Sequence, residues 1–568
     1  MTLRRAVTPR DGPEAAVFVA GVSSLGLEIL AGRIVAPAFG SSIYVWGSII
    51  GVFLAALALG YHRGGERAAE RASTGSIVTI LLASALYVAG LLALAGVVLE
   101  LADAFSIPPR LSPLLPVALL FGPPVYLLGL ISPYAAELSG AESAGGASGR
   151  IYAVGTAGSI VGAFGTTFVL IPWLDLPVAE LGFGLLLVAT AVGLAWRREG
   201  LDRAGVAGGS GAHGRGSATG RGLTGVRGEG ERQRLLLRAL LVAIVLAGGF
   251  AVHDRGLAFT GDVVVQTETP YQGLTVVDRP AQDPGDDRTV RTLYLEGTPQ
   301  SAAYLRDGEP VADEYVFDYT RYFHLAMVMS DDVERVLFVG GGGFSGPRRF
   351  VAEYPNVTVD VVEIDPVVID VARDHFGVEA SERLDVYQGD GREFLERTNR
   401  TYDAIVLDAY RKDRVPFHLA TAEFMALAAA HLDDDGVLVA NVISAADGPG
   451  SQFYRAEYAT IRSAFPHVYA FPTVGGPVLQ NVELVATKRE AGFTREELAA
   501  RIEARDVGVP LSDAPERYRG PDQVRTDDVP VLRDERAPID SLLDPQLGRR
   551  YVIARNGTVT DASAVATG

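Results

Sequence analysis

The hydrophobic pattern splits the chain in two. Up to residue 253, apolar residues come in long blocks, near 15–36, 44–61, 77–101, 111–132, 151–171, 176–196 and 234–253. A helix needs about 20 such residues to cross a hydrocarbon layer. Seven blocks in series predict a polytopic α-helical membrane domain over residues 1–253, not the buried helices of a large soluble protein. Further spans and no cleavage site follow the first block, so it reads as a span and not a signal peptide. The fourth contains Gly122-Pro123-Pro124, which predicts a kinked or re-entrant segment.

Within the fifth block, Gly158 and Gly162 sit four apart among Ala, Gly and Ser. That spacing lets helix backbones approach closely and predicts a packed bundle. Glu28 and Arg33 lie in or at the end of the first block, where charges face a bundle interior or the interface. Residues 204–230 hold 11 Gly in 27 and predict a flexible linker inside the membrane domain.

From residue 261 the pattern changes to short alternating runs. Val263–Gln266, Leu274–Asp278 and Thr292–Leu295 predict a small antiparallel β unit within residues 254–334, ending in a helix over 313–329. Strands then alternate with helices: strands at 335–339, 357–363, 384–388, 403–407 and 436–441, helices at 346–354, 366–376, 392–397 and 421–432. This alternation predicts an α/β Rossmann-like domain over 335–500 with a parallel, doubly wound sheet. Residues 501–568 form an acidic, Pro-rich C-terminal extension, with 510–548 an extended tail over the domain.

Charge sharpens the division. Residues 1–253 carry 18 Arg against 15 Asp and Glu, and the remainder 32 Lys and Arg against 53 acids, so the −18 net charge resides in the second half. Such an acidic half excludes nucleic acid as a partner, which needs a basic footprint. Only Lys412 and Lys488 are lysines, an acidic and Lys-poor composition that suggests a salt-adapted host. No cysteine is present, which removes disulfides, thiolate ligands and thiol nucleophiles. The histidines show no ligand spacing, and no metal is expected.

Candidate chemistry follows from position. Gly340, Gly341, Gly342 and Gly343 follow the first strand of the parallel series, where a Gly-rich turn lets a ligand approach the backbone. Glu363 ends the second strand, 20 residues later, where an acid accepts hydrogen bonds from ribose hydroxyls. Asp390 with Gly391 ends the third, in reach of an adenine amino group or a sugar, and Asp408 ends the fourth, at the edge where such sheets bind ligands. Each acid also has a structural reading, as a strand-end, turn or cap residue. A Walker Lys and the G-x-G-x-x-G spacing are both missing, so the set points to a nucleoside more than to a phosphate-rich ligand.

Val339-Gly340-Gly341-Gly342-Gly343, Val362-Glu363-Ile364-Asp365, Gly389-Asp390-Gly391 and Val406-Leu407-Asp408 resemble the spermidine synthase (polyamine aminopropyltransferase) family. The resemblance covers about residues 262–490 and includes Leu295-Glu296-Gly297-Thr298-Pro299-Gln300. Leu27–Arg33, Phe39–Ser42 and Gly149–Ala153 resemble a membrane domain fused to some members. The resemblance implies a class I methyltransferase-type fold and a transferase using decarboxylated S-adenosylmethionine. It implies that Glu363 holds the ribose, Asp390 contacts adenine, and Asp408 deprotonates an attacking amine. Gln300 joins the substrate site by the same likeness, and a homodimer is its expected assembly.

Three positions depart from the family. Its Gly-rich loop usually ends in Asp, where this chain has Gly343. Its Tyr-His pair aligns with Phe317-Asp318, and its second acid, three residues after the base, aligns with Arg411. An Arg there repels a dication in a desolvated site; Asp318, Tyr319 and Asp413 are the residues at hand to compensate. Three readings stay open: aminopropyl transfer to a small amine, methyl transfer from S-adenosylmethionine with an Arg such as Arg411 or Arg414 meeting its carboxylate, and a non-catalytic nucleoside-binding domain coupled to the bundle. Arg residues before the first span, after the second and between 197 and 234 put those segments inside by the positive-inside rule. A seventh span then leaves the soluble half outside, whereas a cytosolic nucleoside donor favours the cytoplasmic side.

Overall fold

The structure is a computed structural model that describes residues 11–39, 43–102, 111–139, 144–208, 223–254, 261–281, 287–379, 381–411, 414–546, 549, 551–555 and 558–561. The chain forms two compact units that part between residues 257 and 258.

The first unit holds seven helices long and apolar enough to cross a membrane. They are α1 (Gly12–Phe39), α2 (Ile43–Arg71), α3 (Thr74–Ala102), α4 (Leu114–Leu138), α5 (Ala144–Gly165), α6 (Leu176–Gly208) and α7 (Leu223–Asp254). Leu27, Phe53, Leu81, Phe121 and Leu187 fill the interior, while Leu54, Leu94, Phe168, Trp173 and Ile244 stay exposed. Large apolar side chains pointing outward from a helical bundle match a lipid surround. The fourth block forms one continuous helix, α4, with Pro123, Pro124 and Pro133 inside it, and not a re-entrant pair. The expected linker is shorter than predicted. Helical turns of α6 and α7 occupy 204–208 and 223–230, beyond the apolar blocks, and 209–222 lie outside the described residues.

Small residues set the spacing of this bundle. A methyl group at Gly158 would lie 2.9 Å from the Phe18 carbonyl carbon, and one at Gly162 2.9 Å from Val22 Cα. Helices α1 and α5 therefore meet backbone to backbone, as the glycine spacing predicts. Gly60 on α2 faces Gly129 on α4 in the same way, at 2.9 Å to its Cα. Between α1 and α5, Glu14 and Arg150 form a bidentate ion pair, with Nη2 to Oε2 at 2.8 Å. Glu14 is 4% exposed, so its charge depends on that partner.

In the second unit, β1 (Asp262–Glu268), β2 (Gly273–Pro280), β3 (Thr289–Leu295), β4 (Thr298–Arg306) and β5 (Glu309–Pro310) form an antiparallel sheet in sequential order. A seven-stranded sheet follows, in the order β11-β12-β10-β9-β6-β7-β8. Its parallel centre is β6 (Arg335–Val339), β7 (Thr358–Glu363), β8 (Leu384–Gln388), β9 (Tyr402–Leu407) and β10 (Leu432–Ala445). Strands β11 (His467–Pro472) and β12 (Leu479–Thr487) complete it antiparallel, so the sheet is mixed and not wholly parallel as expected. Helices α8 (Ser345–Glu353), α9 (Pro366–His375), α10 (Gly391–Arg397) and α11 (Ala422–Ala430) connect the parallel strands.

Leu274, Val276, Leu293 and Leu295 of the small sheet pack on Val368, Val371 and Phe376 in and just after α9. The helix expected over 313–329 is instead a 3₁₀ segment, Asp318–His324, and one α-turn, Leu325–Met329. Tyr319, Tyr322 and Phe323 are all buried there, so packing on every side overrides helix propensity. The tail over 510–548 docks on the domain: Arg519 and Ala470 exchange backbone hydrogen bonds at 2.9 and 3.0 Å, and Leu532, Ile539 and Leu543 are buried.

Replacing Gly162 by Leu should cost about 1–3 kcal/mol, because the side chain has no room against Val22. Thermal unfolding of the full chain in detergent checks this; Gly165→Leu, a position with nothing within 4 Å, is the matched control.

Candidate active site

The carboxyl ends of β6, β7, β8 and β9 bring the predicted acids to one edge. Gly340 leaves β6 at φ +94°, a conformation that favours glycine, and a side chain there would lie 2.8 Å from the Asp408 carbonyl carbon. The turn presents its N–H groups to Glu363. Gly341 and Gly342 donate to Glu363 Oε2 at 2.8 and 3.4 Å, and Asp365 N–H donates to Oε1 at 3.0 Å. Burial pushes the Glu363 carboxyl upward, and those three amides pull the other way. The acid thus holds the Gly-rich turn in shape while keeping acceptor capacity for hydroxyl groups.

Asp365 caps α9, accepting from Val367 N–H at 3.0 Å, and its other oxygen accepts from Thr269 Oγ1 at 2.6 Å. That bond ties the antiparallel sheet to the edge of the larger one. Asp390 is the N-cap of α10: Oδ1 accepts from the N–H groups of Arg392 and Glu393 at 2.9 and 3.0 Å. Its Oδ2 lies 2.6 Å from His418 Nε2. Burial opposes its ionisation, but Glu393 N–H, His418 and Arg392 N–H outweigh it and hold Asp390 below the usual carboxylate range. Gly391 sits directly against Val339, where a side chain would collide with a Val339 methyl group.

Asp408 stands apart, because one neutral donor meets it. Asn441 Nδ2 donates to Oδ1 at 2.8 Å. The donor is itself held: Asn481 Nδ2 donates to Asn441 Oδ1 at 2.9 Å, and Tyr551 O–H donates to Asn481 Oδ1 at 2.8 Å. Withdrawal from water pushes Asp408 up to about 6, the Asn441 bond lowers it, and the nearby Glu363 charge raises it. A carboxyl so placed exchanges protons near neutrality. Sequence reasoning missed this relay. Its signal was Asn441 and Asn481, polar residues inside buried stretches of β10 and β12.

The predicted acceptor residues scatter more. Tyr319 O–H donates to the Gln300 carbonyl at 2.9 Å, while Gln300 Nε2 is buried without a partner. Asp318 is buried at the start of the 3₁₀ segment. Arg411 Nη1 donates to Gln272 Oε1 at 2.6 Å. Asp413 lies outside the described residues. At Gly343 a methyl group would sit 2.6 Å from Ser301 Oγ and 2.8 Å from Ser301 Cβ. Ser301 in turn shares a hydrogen bond with Ser345 at 2.7 Å. The space of a loop-end acid is therefore filled.

The signature described as "Spermine/spermidine synthase domain" matches residues 317–447. A polyamine aminopropyltransferase of Vibrio vulnificus (strain CMCP6) is 36% identical over 212 residues, covering 37% of this chain and 67% of that one. The chain belongs to the spermidine synthase (polyamine aminopropyltransferase) family. It is a family of transferases, and the expectation of a transferase enzyme stands with it. A probable polyamine aminopropyl transferase of Bifidobacterium longum (strain NCC 2705) is 29% identical over 313 residues, 52% of this chain and 64% of that relative's length. A solved probable spermidine synthase from Corynebacterium glutamicum ATCC 13032 aligns with a TM-score of 0.40 at 20% identity, over 49% of this chain and 98% of that one.

Modification by a water-soluble carbodiimide, which needs a protonated carboxyl, reads Asp408 directly by peptide mass spectrometry. Labelling should fall as pH rises through about 6. In Asn441→Leu the lost donor should move that midpoint upward by about one pH unit. An unmoved midpoint would mean that Asn441 does not set the acidity of Asp408.

Proposed function

We propose that the chain is a multi-pass membrane transferase that moves an aminopropyl group from decarboxylated S-adenosylmethionine to a small amine. The Asp408 carboxyl, withdrawn from water and held by one neutral amide, carries this reading. An amine arriving as an ammonium ion has no lone pair, so an adjacent base must take its proton. Asp408 takes that proton. The freed lone pair forms the new C–N bond to the propyl carbon attached to the sulfonium. The C–S bond breaks with its electrons staying on sulfur, and neutral methylthioadenosine leaves. Glu363 and the Gly340–Gly342 turn hold the ribose, and the α10 terminus with Asp390 lies beside the adenine. Fixing both reactants in line supplies much of the rate. No metal enters this scheme.

A second reading, methyl transfer from S-adenosylmethionine, draws on the missing acid at Gly343. Its partner argument is weaker, since Arg411 is engaged by Gln272. Calorimetric titration of the full chain in detergent with each donor separates the two. Decarboxylated donor should bind about tenfold more tightly or better, and Glu363→Ala should weaken it by about 1–3 kcal/mol. Preference for the carboxylated donor would shift the assignment to methyl transfer. Binding of neither, with Glu363→Ala without effect, would leave a domain that has lost the chemistry.

Sidedness follows from the donor. A nucleoside made in the cytosol requires the soluble unit on the cytoplasmic side, whereas seven crossings from an inside N terminus would end outside. Protease added to sealed right-side-out vesicles should spare residues 261–561 until lysis. Cleavage before lysis would overturn the cytoplasmic assignment.

A further inference from the structure

One buried carboxyl away from the sheet edge has no part in the proton-transfer scheme. Glu457 lies on α12 (Gln452–Ile461), a helix that packs on β10, and is 0% exposed. Its Oε1 lies 2.9 Å from Tyr410 Oη, and its Oε2 has no hydrogen-bond partner. Phe453, one turn earlier on α12, meets the Tyr410 ring edge-on, with centroids 6.2 Å apart. No guanidinium or ammonium among the described residues pairs with Glu457. An ionised carboxyl with one oxygen orphaned in an apolar core is among the costliest groups to bury.

Tyr410 decides which form is present. It stands two residues after Asp408, and its Oη also lies 2.7 Å from the Leu419 carbonyl oxygen. A carbonyl oxygen only accepts, and a phenol has one proton to give. Both contacts are hydrogen bonds together when Tyr410 donates to Leu419 and a protonated Glu457 donates to Tyr410 Oη. The bare second oxygen then belongs to a neutral acid, at far lower cost than on a carboxylate. Burial pushes the Glu457 carboxyl up to about 8, so the proton is present at neutrality. Among the described residues, Tyr410 is the titratable group that faces it. On the other elements packed against α12, Glu423 of α11 accepts from Asp534 N–H, His467 of β11 meets the Glu490 carbonyl, Glu483 of β12 faces Asp408, and Asp540 of the helix Ile539–Leu543 is exposed.

The connection after β9 carries Asp408 at one end and His418, the partner of Asp390, at the other. The Tyr410–Leu419 bond ties these two ends together. We propose that Glu457, in its protonated form, is a positioning residue that locks this connection through Tyr410, and that its ionisation unlocks it. The inference holds whichever group the site transfers. Once ionised, Glu457 competes as an acceptor for the Tyr410 proton, and the Leu419 carbonyl loses its donor. The lock is complete below about pH 8 and is lost as pH rises through that value. Glu457 touches no reactant.

Hydrogen exchange on the full chain in detergent reads the lock without a ligand. The reporters are the N–H groups of Leu419 and Ala420, which donate to the Pro416 and Phe417 carbonyls at 2.9 and 3.0 Å. Corrected for intrinsic rates, their exchange should quicken about tenfold between about pH 7 and about pH 9. E457Q, whose amide can donate to Tyr410 at any pH, should keep them slow at both. Y410F should leave them fast at both. Methylthioadenosine should bind the unmodified chain about tenfold more weakly at the higher pH, and E457Q equally at both. Protection that does not change with pH in the unmodified chain, or that falls as far in E457Q, would overturn the inference. Should E457Q fail to fold, the unmodified chain and Y410F decide: pH-dependent protection that survives in Y410F overturns it as well. Absence of methylthioadenosine binding at both pH values sinks the nucleoside reading of the site, while exchange still decides the role of Glu457.

Discussion

Three carboxyl groups withdrawn from water at one end of a single sheet set the terms for the soluble unit. Glu363, Asp408 and Glu483 cannot all ionise at low cost, since the first raises the second and the second raises the third. The chain grades them by the donors it gives each one. Glu363 receives three backbone amides, Asp408 one side-chain amide and Glu483 none. This gradient separates the acidities of three carboxyl groups at one sheet edge. The neutral relay from Tyr551 through Asn481 to Asn441 is what keeps the middle member from being stabilised as strongly as the first.

The helical unit, whose seven long apolar helices are compatible with a multi-pass membrane protein, solves a different problem with different means. Lipid offers no hydrophobic drive for helices to associate, so close backbone approach and the Glu14–Arg150 pair supply specificity there. Gly158 and Gly162 admit α1, and Gly60 admits α4. Apolar side chains on the outside suit such a surround.

Elements whose physics is local were legible in the sequence. The seven spans, the strand-helix alternation and the acids at successive strand ends follow from periodicity and position, and the structure has them in the expected order. What escaped is non-local. The 3₁₀ segment at 318–324 owes its form to burial on all sides, and the antiparallel placement of β11 and β12 depends on pairing that no periodicity records. His418 on Asp390, Gln272 on Arg411 and Tyr551 on Asn481 join residues 28, 139 and 70 positions apart. Asn441 and Glu483 were visible as polar interruptions of apolar strands, a signal that single-residue motifs pass over.

The crowding at Gly343 bears on the history of the site. An acid at that position, as the family resemblance leads one to expect, would meet Ser301, which is already engaged with Ser345. An acid at Gly343 alone therefore begins with a steric penalty, and clearing Ser301 alone leaves a void while Ser345 keeps its hydrogen bond to the Ala302 carbonyl. Neither single step leads back without loss, so the two positions act as a ratchet.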